Sequence, residues 1–156
     1  MRHALVLGAL VALLAAAAAG AGTSSRAACK PGIRKIGTSS YRVFCGPASA
    51  SLRLGGKTQS FRKGGCITLG GRVFTVSIGS LTMSRGKALY RYLGITVPQA
   101  KGDGTYRRAS VTWAFGAKRY LLSGARVRLT GKRSRGTFSG RIAGTKRRVA
   151  GSFRCK

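Results

Sequence analysis

Very few side chains in this sequence could take part in covalent or acid–base chemistry. The 156-residue chain has one acidic side chain, Asp103, and one histidine, His3, against 30 lysines and arginines. General acid–base catalysis uses a group that titrates near neutral pH, and glycosidases use a pair of carboxylates. A serine or cysteine nucleophile needs a neighbouring base. We therefore expect a protein that is not an enzyme and uses no cofactor. Asp103, within Lys101-Gly102-Asp103-Gly104, is interpreted as a turn former.

The four cysteines, at positions 29, 45, 66 and 155, are the other chemically distinctive residues. Their spacing contains no C-x₂₋₄-C pair of the kind that zinc sites use, and calcium needs several anionic oxygens. We therefore expect no metal site. An even number of cysteines in an exported chain is typical of disulfides, so two disulfides are predicted.

The segment between Cys45 and Cys66 favours one disulfide pairing. Residues 48–54 alternate between apolar and polar, and Gly55-Gly56 suits a two-residue hairpin turn. Extending this hairpin outward brings Cys45 opposite Cys66, about 4.5 Å apart at Cα, which a disulfide can span. The favoured pairing is Cys45–Cys66 with Cys29–Cys155. The same alternation places Cys45 among the outward-facing residues, which does not suit the favoured pairing. Cys45–Cys155 with Cys29–Cys66 is therefore kept as an alternative.

The remaining chain predicts short strands separated by glycine-containing turns. Phe74, Val76 and Ile78 share one face of such a strand, residues 80–87 are predicted to form a loop, and residues 89–97 a strand. About nine or ten strands follow one another with turn signals between them. The predicted fold is all-β, an antiparallel β-sandwich or flattened barrel.

The N-terminal residues indicate export. Met1–His3 is cationic, Ala4–Ala19 is apolar, and small residues follow, so residues 1–21 are predicted to be a secretory signal peptide. The apolar run is shorter than the roughly 20 residues of a membrane span, and an uncleaved anchor is the alternative. Residues 22–39 are expected to form a basic linker or N-terminal arm, and residues 40–156 the β-sandwich domain. We expect a secreted, extracellular or cell-surface protein, with no transmembrane span after cleavage.

The net charge, +29 in total, indicates the class of partner. Such a charge attracts polyanions strongly, so the expected partners are anionic envelope polymers or lipid headgroups. Specific nucleic-acid binding is not expected, because most aromatic residues occupy core positions rather than a basic surface. A monomer is expected. The candidate polyanion-binding residues lie in basic clusters: Arg107, Arg108, Lys132, Arg133, Arg135, Lys146, Arg147 and Arg148.

The alternative function is a surface β-sandwich that binds a small ligand or a protein. In that case a pocket is expected between the sheets and the charge is incidental. Arginine concentrated on one face would favour polyanion binding, whereas uniform scatter would favour incidental charge.

The last strands of the chain also carry a family resemblance. Lys118-Arg119-Tyr120-Leu121, Val127-Arg128-Leu129-Thr130, Gly136-Thr137-Phe138-Ser139-Gly140 and the closing Val149–Cys155 resemble small exported β-proteins of actinobacteria. More distantly, the chain is similar to the mycobacterial 19 kDa lipoprotein antigens. The resemblance implies a β-sandwich at the cell surface and a Cys45–Cys155 disulfide, and it transfers no catalytic or binding residue. The lipid-attachment motif of those antigens is absent here.

Overall fold

The computed structural model describes residues 29–156. The predicted signal peptide, residues 1–21, lies outside the described residues, as does the first part of the expected arm. No helix within residues 29–156 has the length and apolar character needed to cross a membrane. The strands are β1 (Gly32–Ile36), β2 (Ser39–Val43), β3 (Ser49–Leu54), β4 (Lys57–Arg62), β5 (Gly64–Leu69), β6 (Val73–Ser84), β7 (Lys87–Val97), β8 (Gly104–Phe115), β9 (Lys118–Thr130), β10 (Arg135–Ile142) and β11 (Arg148–Arg154).

The strands form two antiparallel sheets. A small sheet pairs β1 with β2, and a nearly closed nine-stranded sheet has the order β4-β3-β11-β10-β9-β8-β7-β6-β5. The predicted all-β antiparallel fold with two disulfides is confirmed. The described strands exceed the expected nine or ten in part because β1 forms where a linker was expected, within residues 22–39.

The apolar residues that alternate along the strands fill the inside of the large sheet. Phe74, Val76 and Ile78 are buried on β6 as predicted, and Trp113 of β8 is 1% exposed. Strands near opposite edges of the sheet contribute buried side chains to this interior. Leu52 of β3 is buried near one edge, and the residues of β6 are buried near the other. Because these side chains fill the interior, concave regions open on the outer surface, and two of them, of about 930 and 580 Å³, are described below.

The β3–β4 hairpin folds as predicted. Gly55 and Gly56 both adopt positive φ, at 56° and 76°, as a two-residue hairpin turn requires. The ladder then continues outward from this turn and ends at the pair Ser49 and Arg62. It stops before it reaches the cysteines.

Both predicted disulfide pairings are wrong, as is the Cys45–Cys155 bridge implied by the resemblance. The structure joins Cys29 to Cys45 and Cys66 to Cys155. The first disulfide closes the small β1–β2 hairpin. The second connects the edge strand β5 to the residue that follows β11.

The physical reason for the different pairing lies at Lys63, directly after β4. Lys63 has a φ of 68°, which turns the chain out of the hairpin. Gly64 then begins β5 opposite Ile78 of β6, so Cys66 lies beside Val76 instead of Cys45. A lysine in the left-handed region is uncommon and has no signature in the sequence.

The predicted loop at residues 80–87 is also wrong. β6 continues through Ser84 and pairs with β7, which begins at Lys87. Only Arg85 and Gly86 lie between the strands, with φ angles of 47° and 71°. The predicted strand at residues 89–97 is confirmed within β7.

Candidate functional site

The outward-facing residues of five adjacent strands form a surface that we call the arginine face. On β4, β3, β11, β10 and β9 the side chains opposite to the core are almost all arginine, serine, threonine or alanine, and the sheet order makes these strands neighbours. Eight arginines lie where these five strands pair with one another, which bounds the arginine face, and all eight are exposed. They are Arg53, Arg62, Arg126, Arg128, Arg135, Arg141, Arg148 and Arg154.

The strand register places two pairs of arginines directly opposite each other on this face. Arg141 faces Arg148, and Arg135 faces Arg154, both across the β10–β11 ladder. Like charges directly opposite on neighbouring strands destabilise a sheet, by up to about 1 kcal/mol for each pair. The only acidic side chain of the sequence is Asp103. No carboxylate side chain therefore lies between these four guanidinium groups to offset their repulsion.

A groove runs across the middle of the arginine face. Arg53 on β3 and Arg126 on β9 occupy one cross-strand row, and the two positions between them are Ser139 and Ala150. Three strand spacings separate the two arginines, about 14 Å. The short side chains between them form the floor of a depression of about 930 Å³. We call it the basic groove, lined by Arg53, Arg126, Arg141 and Arg148.

A β-bulge places two further arginines opposite Arg126, which lines the groove. On β8, Tyr106 pairs with Val127 of β9, but the next pair along the ladder is Ala109 with Ala125. Two residues of β8, at positions 107 and 108, therefore oppose the single residue Arg126, the arrangement that defines a bulge. Both are exposed arginines. Three guanidinium groups thus originate from one point of the β8–β9 ladder.

The loop between β9 and β10 is fixed by the single aspartate. The backbone N–H groups of Lys132 and Arg133 donate to the two carboxylate oxygens of Asp103, at 3.0 and 2.7 Å. Gly131, Lys132 and Arg133 all have positive φ, between 57° and 64°, so their amide groups can converge on one anion. The amides of Arg133 and Lys132 lower the pKa of Asp103. Asp103 thus positions a loop far from it in sequence, beyond its expected role in a local turn.

The predicted polyanion-binding residues divide into two groups in the structure. Arg148 lies in the basic groove, Arg135 on the arginine face, and Arg107 and Arg108 at the bulge. The guanidinium group of Arg147 lies near the β3–β4 turn, 3.6 Å from where a Cβ atom on Gly55 would be.

The other predicted cations are placed differently. Arg133 is half-buried, and its guanidinium group donates to the Ala100 carbonyl at 2.9 Å. This side chain therefore has a structural partner. Lys132 and Lys146 are exposed in the loops before and after β10.

Arginines within strands were not among the predicted site residues. Arg141 and Arg154 are separated from the predicted clusters in sequence, but the ladder brings them opposite Arg148 and Arg135. The available signal was the alternation of Arg126 and Arg128 with buried residues of β9. Such a pattern shows that a residue points outward, but not which strands are neighbours.

The aromatic residue beside a basic pair does not supply an open stacking surface. Tyr106 is half-buried, and its hydroxyl donates to the Gly102 carbonyl at 2.8 Å. Trp113, Phe74 and Phe138 are buried, as expected for core residues. The arginine face therefore presents cations and small hydroxyl groups.

Comparisons with known proteins identify no relative of this chain. No family model matches it, and neither the curated proteins nor the solved structures include a significant match.

Proposed function

We propose that this protein is an exported, non-catalytic protein that binds anionic polymers or lipid headgroups of the cell envelope through its arginine face. The observation that carries this proposal is the concentration of eight exposed arginines on one face, including two directly opposed pairs. Arginine used only for solubility would not need to be placed opposite arginine. Eight of the twelve arginines in the strands of the nine-stranded sheet lie on this face, which favours polyanion binding over incidental charge.

The energetics of the face support a polyanionic ligand. Two unit charges about 6 Å apart repel by about 0.7 kcal/mol even in bulk water. A polymer that carries a regular series of negative charges would relieve this repulsion at several positions simultaneously. Release of the counterions held by such a polymer adds a favourable entropy that decreases as salt rises.

A non-catalytic role is supported by the state of the single carboxylate. Asp103 accepts hydrogen bonds from two backbone amides, and its lowered pKa keeps it ionised. A general acid or base instead needs a pKa near the operating pH. Export is supported by the two disulfides, which are consistent with an extracellular or secreted protein.

The proposal is tested by titrating binding against salt. The probes are long-chain polyphosphate and vesicles that contain an anionic phospholipid, with neutral vesicles as the control. We expect the logarithm of the association constant to fall linearly with the logarithm of salt concentration between about 50 and 500 mM, with a steep slope. Binding that does not change with salt, or no binding at the lowest salt, would contradict the proposal.

A further inference from the structure

A second concave region lies on the outer surface, between the β1–β2 hairpin and strands β7 to β9. It has a volume of about 580 Å³, within the range of small-molecule sites. Arg42, Tyr90, Tyr92, Thr112 and Arg119 are among the residues that line it, and we call it the tyrosine cleft. Arg119, at the start of β9, precedes the β9–β10 ladder, so none of these residues lies on the arginine face.

Aromatic contacts hold the hairpin against the sheet and so build one wall of the cleft. The ring of Tyr41 lies 5.2 Å from that of Tyr90, and the ring of Phe44 lies 5.8 Å from that of Tyr92. The Tyr90 hydroxyl donates to the Arg42 carbonyl at 3.2 Å. The Cys29–Cys45 disulfide fixes the ends of the hairpin. These contacts preform the cleft.

Two glycines make room for the aromatic rings. A Cβ atom on Gly79 would lie 3.0 Å from the ring of Phe44. At Gly94, such an atom would meet the Tyr92 hydroxyl and would lie 3.1 Å from Oγ1 of Thr112. Two hydroxyl groups therefore lie over the same small residue. The Tyr92 side chain reaches over Gly94 toward Thr112, so the cleft presents hydroxyl groups as well as apolar edges.

The charged residues of the cleft are both arginines. Arg42 and Arg119 line it, and the only acidic side chain of the sequence is committed to the loop between β9 and β10. Burial raises the pKa of Tyr90, while the positive charges of Arg119 and Arg42 act in the opposite direction. The cleft combines positive charge, hydroxyl groups and apolar surface.

The tyrosine cleft adjoins the basic groove along β9. Leu121 lines the cleft, and Ser123 lines the groove. Two residues of one strand are about 7 Å apart. A chain-like ligand bound in the groove could therefore continue into the cleft.

We propose that the tyrosine cleft binds one sugar unit of an acidic polysaccharide whose following units lie in the basic groove. This inference rests on the proposed function and names the class of polymer. Carboxylates on the sugar meet the arginines, and its hydroxyl groups meet the side chains of residues such as Ser77 and Thr112. A nucleobase fits less well, because the Tyr90 and Tyr92 rings already pack against each other, at 6.3 Å, and against the hairpin.

The test compares two polyanions with the same number of charges, of which one contains sugar rings and the other does not. The probes are an oligogalacturonate and a polyphosphate with the same number of charges, each titrated calorimetrically at one salt concentration. Thr112→Phe fills the cleft without changing the charge. We expect it to weaken oligogalacturonate binding about tenfold and to leave polyphosphate binding unchanged.

A second variant covers the case in which Thr112→Phe does not fold. Arg119→Gln removes one cation from the cleft, and Arg72→Gln removes one exposed cation from the β5–β6 turn as a matched control. We expect Arg119→Gln to weaken the oligogalacturonate several-fold more than Arg72→Gln does.

The outcomes separate this inference from the proposal on which it rests. If both polymers bind and neither cleft variant discriminates between them, the cleft inference is overturned and polyanion binding stands. If a single-stranded oligonucleotide is the probe that the cleft variants weaken most, the ligand class is wrong. If the wild-type protein binds neither polymer, the proposed function itself fails.

Discussion

Arg141 and Arg148 stand directly opposite each other on the β10–β11 ladder, and both line the basic groove. The fold alone does not require this arrangement, because each position faces solvent and accepts many side chains. The repulsion between them lowers the stability of the unbound protein. It also concentrates positive charge where an anion can approach from outside.

Replacing one member of this pair should stabilise the unbound fold. We expect Arg148→Thr to raise the free energy of unfolding by about 0.2–1 kcal/mol at low salt, because it removes a like-charge pair. The gain should largely disappear near 1 M salt, where the screening length is about 3 Å. Urea denaturation at the two salt concentrations measures both values. Arg34→Thr, on β1 opposite Tyr41, is the control, and an equal gain there would contradict the explanation.

The two disulfides should differ in what they stabilise. Cys66 and Cys155 are 89 residues apart, so on the chain-entropy model we expect their replacement by serine to lower the free energy of unfolding by about 4–5 kcal/mol. Cys29 and Cys45 are 16 residues apart and close only the β1–β2 hairpin. Their replacement should release the hairpin and leave the nine-stranded sheet folded.

Amide hydrogen exchange combined with urea denaturation distinguishes the two disulfide variants. Loss of protection confined to β1 and β2 is expected for the Cys29/Cys45 variant. Global loss of protection in that variant would show that the hairpin is part of the cooperative core. Peptide mapping of the unreduced protein tests the two pairings themselves.

Asp103 should make the free energy of unfolding depend on pH only at acidic pH. Its lowered pKa, caused first by the Arg133 amide and then by that of Lys132, means that the carboxylate favours the folded state when ionised. This contribution is complete when the pH lies above the pKa of aspartate in the unfolded chain, about 3.9. It is lost as the pH falls through the lower pKa of Asp103 in the folded protein. We expect the melting temperature of Asp103→Asn to be below that of the wild type at neutral pH and the difference to shrink below about pH 4. A difference that persists at low pH would assign the stabilisation to something other than the charge.

The sequence predicted those features that depend on neighbouring residues. Gly55-Gly56 predicted the β3–β4 turn, and the alternation of Phe74, Val76 and Ile78 predicted a strand face, because both follow from local backbone geometry. The pairing of the cysteines depended on the left-handed conformation of Lys63, where the β3–β4 ladder ends and the β5–β6 ladder begins. Local patterns carry no information about such a change of partner.

The arginine face was predictable only in part, for a related reason. The outward orientation of Arg53 and Arg126 follows from alternation, but their common face depends on β11 lying between β3 and β10. Sequence clusters such as Lys132-Arg133 drew attention to loops, where one of the two cations serves a structural role. The residues opposite each other, rather than those adjacent in sequence, define the candidate site.

The most direct test of the arginine face compares two variants of equal charge. One replaces four groove residues with glutamine: Arg53, Arg126, Arg141 and Arg148. The other replaces four exposed cations elsewhere: Arg34, Lys35, Arg72 and Lys87. For each protein, the polyphosphate association constant is measured as a function of salt concentration.

If the basic groove binds the polymer, the groove variant should lose most of the affinity and show a markedly shallower salt dependence, since fewer cations neutralise the ligand. The control variant should remain close to the wild type in both respects. Equal losses in the two variants would contradict a localised site and would show that only total charge matters.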